Sequence, residues 1–347
     1  MLKKILLIIL FFFLVFQILF FYYIKNDSEN IPKDTDKRIK IGFSMGTLKE
    51  ERWTKDREIL FQEAKEKGAD IIMQNANNSD TVQEEQVKYL LKQGIDVLII
   101  VANDYQKTKK IIESVKEKNI PVILYDRLVL DTYADLYISF DNTEVGRIMA
   151  ESLLKKLNYK GNILIINGSE SDYNTHMIKN GYDQILKPYT DNGDIKIIGE
   201  FWAENWLKEK ANEIVNEIFK EGIKIDGIIC GNDSLADGAI ESINFSKMSG
   251  KIFVTGQDAD IKACQRIVEG LQLMTVYKPI NKIAEKAIYY AIELVRKNEI
   301  KTEYKIYNEG YDIPYISIRP VEVTKDNIDE TVIKDGFHSE NTVYKTQ

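Results

Sequence analysis

The sequence predicts an α/β fold of two similar lobes facing each other across a cleft, preceded by one membrane-spanning helix. Three observations predict it. Short apolar, strand-like runs alternate with amphipathic helical stretches from residue 39 onward, the signature of βαβ units and a parallel sheet. That series of units is completed and then begins again near residue 161. Residues 5–24 are apolar except for Gln17, long enough for one bilayer-spanning helix.

The bulk properties narrow the class. At 347 residues the chain exceeds one typical domain, so two folded units are expected. A net charge of −7 argues against a nucleic-acid binder, which would carry a basic face. The two cysteines, Cys230 and Cys264, sit in apolar surroundings and read as buried free thiols, with a disulfide as the alternative. Only His176 and His338 are present, too few for histidine-based catalysis or a multi-histidine metal site. No metal and no cofactor are expected.

Taken in order, Lys3 and Lys4 precede the apolar run and Tyr22 and Tyr23 close it, where interfacial aromatics belong. The lysines orient the N-terminus to the cytoplasm. A cleavable signal peptide is the rival reading, but the run is longer than such a segment needs and no small-x-small site follows it. Residues 1–25 are therefore read as a membrane anchor, and 26–38, polar and mixed in charge, as a linker. Strands are expected at 39–43, 71–74, 97–101, 122–125 and 137–140, with helices at 52–67, 81–93 and 105–118 between them. Gly68 and Gly94 stop two of those helices. The second series places strands at 161–166, 195–198, 226–230, 252–255 and 273–277. Its helices run from 173 to about 186, then 207–220, 234–243 and 261–269, and a long one from Pro279 to about 297. No Gly-x-Gly-x-x-Gly and no Walker loop occurs, so no nucleotide is expected.

The chemistry concentrates at strand ends. Tyr125-Asp126-Arg127 closes the apolar run Pro121-Val122-Ile123-Leu124. Neighbouring strand residues point to opposite sides, so the Asp and the Arg can approach one small molecule from two directions. Ligands bind outside the carboxyl ends of such strands. Arg52-Trp53, Asn103-Asp104 and Asp126-Arg127 occupy such ends in the first lobe. Asp172, Asn174, Trp206, Asn232-Asp233, Gln257-Asp258 and Lys278 do so in the second. Indole faces stack on sugar C–H faces, and carboxylates and guanidinium forks pair with hydroxyls. Each residue has a plainer reading: a salt bridge at Asp126-Arg127, core packing for Trp206, helix caps for Asn103, Asp104, Asn232, Asp233 and Asp258.

Several stretches resemble the D-xylose-binding subfamily of the type I periplasmic sugar-binding proteins. They are Glu51-Arg52-Trp53-Thr54-Lys55-Asp56-Arg57, Tyr125-Asp126-Arg127, Tyr137-Ile138-Ser139-Phe140-Asp141-Asn142 and Gly256-Gln257-Asp258-Ala259-Asp260. Met274-Thr275-Val276-Tyr277-Lys278-Pro279 and the tail Val332-Ile333-Lys334-Asp335-Gly336-Phe337-His338 extend the resemblance over nearly all of the chain after about residue 40. It implies two Rossmann-like lobes joined by a three-crossing hinge, with crossings near Asp141-Asn142, Gln257-Asp258 and Tyr277-Lys278 through to the final segment. The first lobe would take residues 39–141 and 278–305, the second 142–277 and 306–340. Motif by motif, the implied sugar contacts are Arg52, Asp126, Arg127, Asp172, Asn174, Trp206, Asn232, Asp258 and Lys278, with Trp53 as a stacking partner.

The membrane helix departs from the released or lipid-anchored members that feed ABC permeases. The chain is similar to the membrane-anchored xylose-sensing form of clostridia, which implies a sensor histidine kinase of a two-component system as partner, with an ABC permease as the alternative. The binding domain would lie outside the cytoplasm. A glycoside-active enzyme would need a paired general acid and base, and cations between the carboxylates are expected to keep them ionised, so no enzyme is expected. A DNA-binding regulator of this fold would need a basic helix-turn-helix where the apolar run stands.

Overall fold

The structure, a computed structural model, describes residues 38–345. The expected anchor, and the linker up to residue 37, lie outside the described residues. Among those described, no helix is long and apolar enough to cross a membrane.

The first series forms β1 (Lys40–Met45), α1 (Glu51–Glu66), β2 (Asp70–Asn75), α2 (Asp80–Lys92), β3 (Val97–Val101), α3 (Thr108–Lys116), β4 (Val122–Tyr125) and β5 (Leu136–Phe140). The second forms α4 (Asn142–Lys156), β6 (Gly161–Asn167), α5 (Tyr173–Asp191), β7 (Ile195–Trp202), α6 (Lys208–Lys220), β8 (Gly227–Cys230), α7 (Asp233–Phe245), β9 (Phe253–Gln257), α8 (Ile261–Glu269) and β10 (Met274–Tyr277). There follow α9 (Ile280–Val295), β11 (Tyr304–Asn308), β12 (Tyr311–Ile318), β13 (Val321–Val323) and α10 (Glu340–Tyr344). Strands such as Val97-Leu98-Ile99-Ile100-Val101 are buried along their whole length. Continuous apolar runs of this kind are what a parallel sheet covered by helices on both faces selects.

Two sheets result, in the strand orders β11-β12-β5-β4-β3-β1-β2 and β13-β10-β9-β8-β6-β7. Each carries apolar core on both faces. Pairing is parallel apart from β11 with β12 and β10 with β13. The chain passes between lobes three times. After β5 it enters α4, whose Val145, Met149 and Leu153 pack on the second sheet. After β10 it enters α9, whose Ile283, Ala287 and Ile288 pack on the first. After β12 it enters β13.

Three expectations need correction. Gln257-Asp258 is not a crossing, because β9 and β10 neighbour each other in the second sheet. The lobe boundary does not fall at residue 305: β11 and β12 extend the first sheet, with Tyr315 to Ile318 paired in parallel with Tyr137 to Phe140. Pro314, which has no amide to donate, argues against a strand there, yet it lies within β12 opposite Lys305 of β11, one residue before the ladder with β5 begins. Helix α4 was not expected. Its buried face includes Asn142, Gly146 and Ser152, which dilute the apolar period. A side chain at Gly146 would meet the Ile178 carbonyl oxygen of α5, so close helix packing demands that glycine.

Candidate functional site

All ten residues expected at the site line one pocket between the lobes: Arg52, Trp53, Asp126, Arg127, Asp172, Asn174, Trp206, Asn232, Asp258 and Lys278. Glu50 and Gln257 complete its lining. Asn103 and Asp104, also singled out at a strand end, do not line it. Asn103 donates to Asp80, and Asp104 caps the backbone of Gln106 and Lys107.

The first-lobe side is built on α1 and on the end of β4. Arg52 lies in the first turn of α1 and donates to Asp56 one turn later through Nε and Nη2, at 3.3 and 3.2 Å. Nη2 also reaches Asp126 Oδ2 at 2.9 Å, and Nη1 lies 3.8 Å from Asp258 Oδ1 of the second lobe. Tyr125 donates its hydroxyl to Asp56 from beneath. At Asp126 the strand turns sharply: φ is 64°, and the Arg127 amide donates back to the Tyr125 carbonyl at 2.7 Å. An i to i+2 bond across a positive φ closes a γ-type turn, which a non-glycine residue holds only where the surroundings impose it. The turn drives both side chains into the cleft. Arg127 is anchored by the Ala102 carbonyl at 3.1 Å and lies 2.8 Å from Asp172 across the cleft. Trp53 sits against the core with the Arg52 guanidinium 4.2 Å over its ring, so a cation already covers one face of the expected stacking partner.

On the second-lobe side, Asp172 accepts from the Asn174 amide at 3.0 Å, and Asn174 spans the cleft to Asp126 Oδ1 at 2.9 Å. Asn232 caps α7 through the Leu235 amide at 2.9 Å while also lining the pocket. Capping and pocket lining are not exclusive here. Trp206 lies on a short 3-10 turn with φ 54°. Its ring is seated by Gly168 and Gly231, where a Cβ would come within 2.1 and 3.1 Å of it. Lys278 lies 3.4 Å from Asp258 Oδ1.

Several buried polar atoms of this lining have no hydrogen-bond partner: Glu50 Oε2, Asn174 Oδ1, Trp206 Nε1, Gln257 Oε1 and Asp258 Oδ1. Such groups cost free energy unless something completes them. Electrostatics divide the carboxylates. Burial pushes Asp126 upward, but Arg52, Lys278 and Arg127 together overturn this and hold it below the usual range. Burial wins at Asp172 and Glu50, which are raised despite Arg127. It also pushes Asp56, behind Arg52, up to about 6. Cations therefore outweigh burial at Asp126, while burial outweighs them at Asp172 and Glu50.

Glu50 and Gln257 were absent from the expected contacts. Gln257 was visible at a strand end, whereas Glu50 precedes α1 with nothing in its pattern to mark it. The glycines seating Trp206 carry no signal either, because their partner is brought up from a distant segment. Both cysteines are buried free thiols.

The periplasmic binding protein domain matches residues 41–299. The D-xylose-binding periplasmic protein of Haemophilus influenzae is 38% identical over 309 residues, covering 89% of this chain and 93% of its own. Its namesake from Escherichia coli is 39% identical over 306 residues, covering 88% and 92%. Among solved structures, an ABC transporter solute binding protein from Clostridium phytofermentans with bound β-D-glucose superposes with a TM-score of 0.82 at 27% identity. That match covers 88% of this chain and 99% of the other. With a two-lobe fold, three crossings and an interlobe polar pocket, the chain belongs to the periplasmic binding protein family and is a binding protein, not an enzyme.

Proposed function

We propose that this chain is the extracytoplasmic solute-binding component of a sugar ABC transporter, and that its ligand is D-xylose. The observation that carries this is the pocket's set of buried, unpartnered polar atoms: the Trp206 N–H and the oxygens of Asn174, Gln257 and Asp258. A sugar hydroxyl both donates and accepts, so one polyol can complete both kinds. Arg52, Asp126, Arg127, Asp172, Asn174, Trp206, Asn232, Asp258 and Lys278 would contact it, with Trp53 backing the guanidinium groups. The names and identities of the Haemophilus and Escherichia relatives support xylose, and the Clostridium neighbour supports transport. Binding would shift an open–closed equilibrium toward the closed form, in which Arg127 meets Asp172.

The test is calorimetric titration of the full-length protein with D-xylose, ribose, arabinose, glucose and galactose. Tight binding of xylose alone is expected, and binding of none of the five would sink the reading. A second reading, a membrane-tethered sensor signalling to a histidine kinase of a two-component system, draws on the apolar segment at residues 5–24. Sugar-dependent capture of such a kinase's extracytoplasmic domain, with no stimulation of a permease, would favour it over transport.

A further inference from the structure

We propose that His338 and Lys55 are positioning residues for this site, clamping the second-lobe loop at 258–261 onto the first turns of α1. This rests on the sugar-binding reading given above. The loop needs holding: Asp258 and Ala259 have φ of 95° and 54°, conformations that persist for non-glycine residues only where the surroundings impose them.

Within the second lobe the loop is held by the Asp258 amide on the Val276 carbonyl at 2.8 Å and the Ala259 amide on Thr275 Oγ1 at 3.2 Å. The Asp260 amide donates to Asp233 Oδ2 at 3.1 Å and Cys264 Sγ to the Ala259 carbonyl at 3.5 Å, and further restraints come from the tail and from the other lobe. His338 Nε2 lies 2.8 Å from the Ala259 carbonyl oxygen, an atom that can only accept, so this nitrogen carries the proton. In the neutral ring Nδ1 is then an acceptor, and it takes Lys55 Nζ at 2.9 Å. Lys55 also donates to the Phe337 carbonyl at 2.8 Å and lies 3.8 Å over the Phe337 ring. Glu51, one turn before Lys55 on α1, accepts from the Ile261 amide at 3.0 Å. Arg52 stands between these two anchors, facing Asp258. The clamp thus sets the approach of Arg52 to Asp258 without touching the ligand.

The arrangement requires a neutral imidazole. A second proton removes the acceptor for Lys55 and sets two cations side by side. Lys55 and Glu51 face the ring from α1, and Asp260 and Cys264 act on the same Lys55 from the second lobe. Burial and Lys55 hold the imidazole below its usual range, with Glu51 opposing.

The test is xylose titration of full-length wild type, His338→Ala and His338→Gln at about pH 7.5 and about pH 5.5. His338→Ala should weaken binding about tenfold or more at the higher pH. His338→Gln offers one N–H to Ala259 and one carbonyl to Lys55, so it should bind within about threefold of wild type while losing wild type's decline at acid pH. An alanine variant within about twofold of wild type, or a glutamine variant that follows wild type's pH profile, overturns the proposal. Amide exchange at 259–261 in sugar-free protein gives a reading independent of the ligand. It should quicken at least about tenfold in His338→Ala, and unchanged exchange overturns the proposal even if no sugar binds and the functional reading falls.

Discussion

Asp126 and Asp258 end equivalent strands of the two lobes, and their backbones match. Each amide donates at 2.8 Å to a carbonyl of the next strand, Ile138 or Val276, and each residue has a positive φ. Their side chains differ. Asp126 is complete, with Arg52 on one oxygen and Asn174 on the other, both at 2.9 Å. Asp258 Oδ1 has only distant cations, Lys278 at 3.4 Å and Arg52 at 3.8 Å, and no hydrogen bond. Asp126 is already finished, by Arg52 of its own lobe and by Asn174 of the other, whereas Asp258 keeps an oxygen for a ligand to finish. A prebuilt pair such as Arg52 with Asp126 lowers the ordering cost of binding, and an unsaturated group such as Asp258 makes closure depend on the ligand.

The largest test of this contrast is Arg52→Ala. It strands Asp56 and Asp126 in a buried site and should cost about 3–5 kcal/mol of folding stability, read by urea unfolding. A loss below about 1 kcal/mol would mean that the first-lobe network is not prebuilt. Asp258→Asn should do the reverse. Stability should stay within about 1 kcal/mol of wild type while xylose affinity falls by about 1.5–3 kcal/mol, through a lost charged hydrogen bond. Equal losses in both assays would erase the distinction between the two aspartates.

Gly168→Ala should follow in size. Its new methyl group would meet the Trp206 ring, so the indole must shift, at about 1–3 kcal/mol of overpacking. Weaker sugar binding with little change in the first lobe's amide exchange is expected. The smallest effects are in pH dependence, and they have opposite signs. Asp126 is held below 3.8, so the stability it contributes is present above that value and lost as pH falls through its depressed pKa. Asp172 is raised above 3.8, so its contribution is full below that value and lost as pH rises through its elevated pKa. Stability of wild type relative to Asp126→Asn should therefore climb with pH across the acid range, and relative to Asp172→Asn should decline. Slopes of the same sign would contradict the assignment.

Much of this was legible beforehand because it is local. A fully apolar five-residue run such as 97–101 is a buried strand whatever surrounds it, and its observed bounds are the expected ones. Charged residues at strand ends announce a cleft because parallel α/β sheets open there. Helix α4 escaped because its buried glycine and polar residues answer to α5, which lies beyond it in sequence.

The sequence by itself determined two series of βα units, their apolar cores and, at strand ends and through the motifs of the resemblance, ten of the twelve residues that line the pocket, since period and motif are properties of short stretches. Tertiary structure alone decided which lobe receives 304–318, because strand partnership is a choice between distant edges and Pro314 obscures it locally. It also decided that Gly168 and Gly231 seat Trp206, and that the Lys55–His338 contact joins residues 283 positions apart. Long-range pairings of this kind are selected by the free energy of the whole packed core, and no single segment records them.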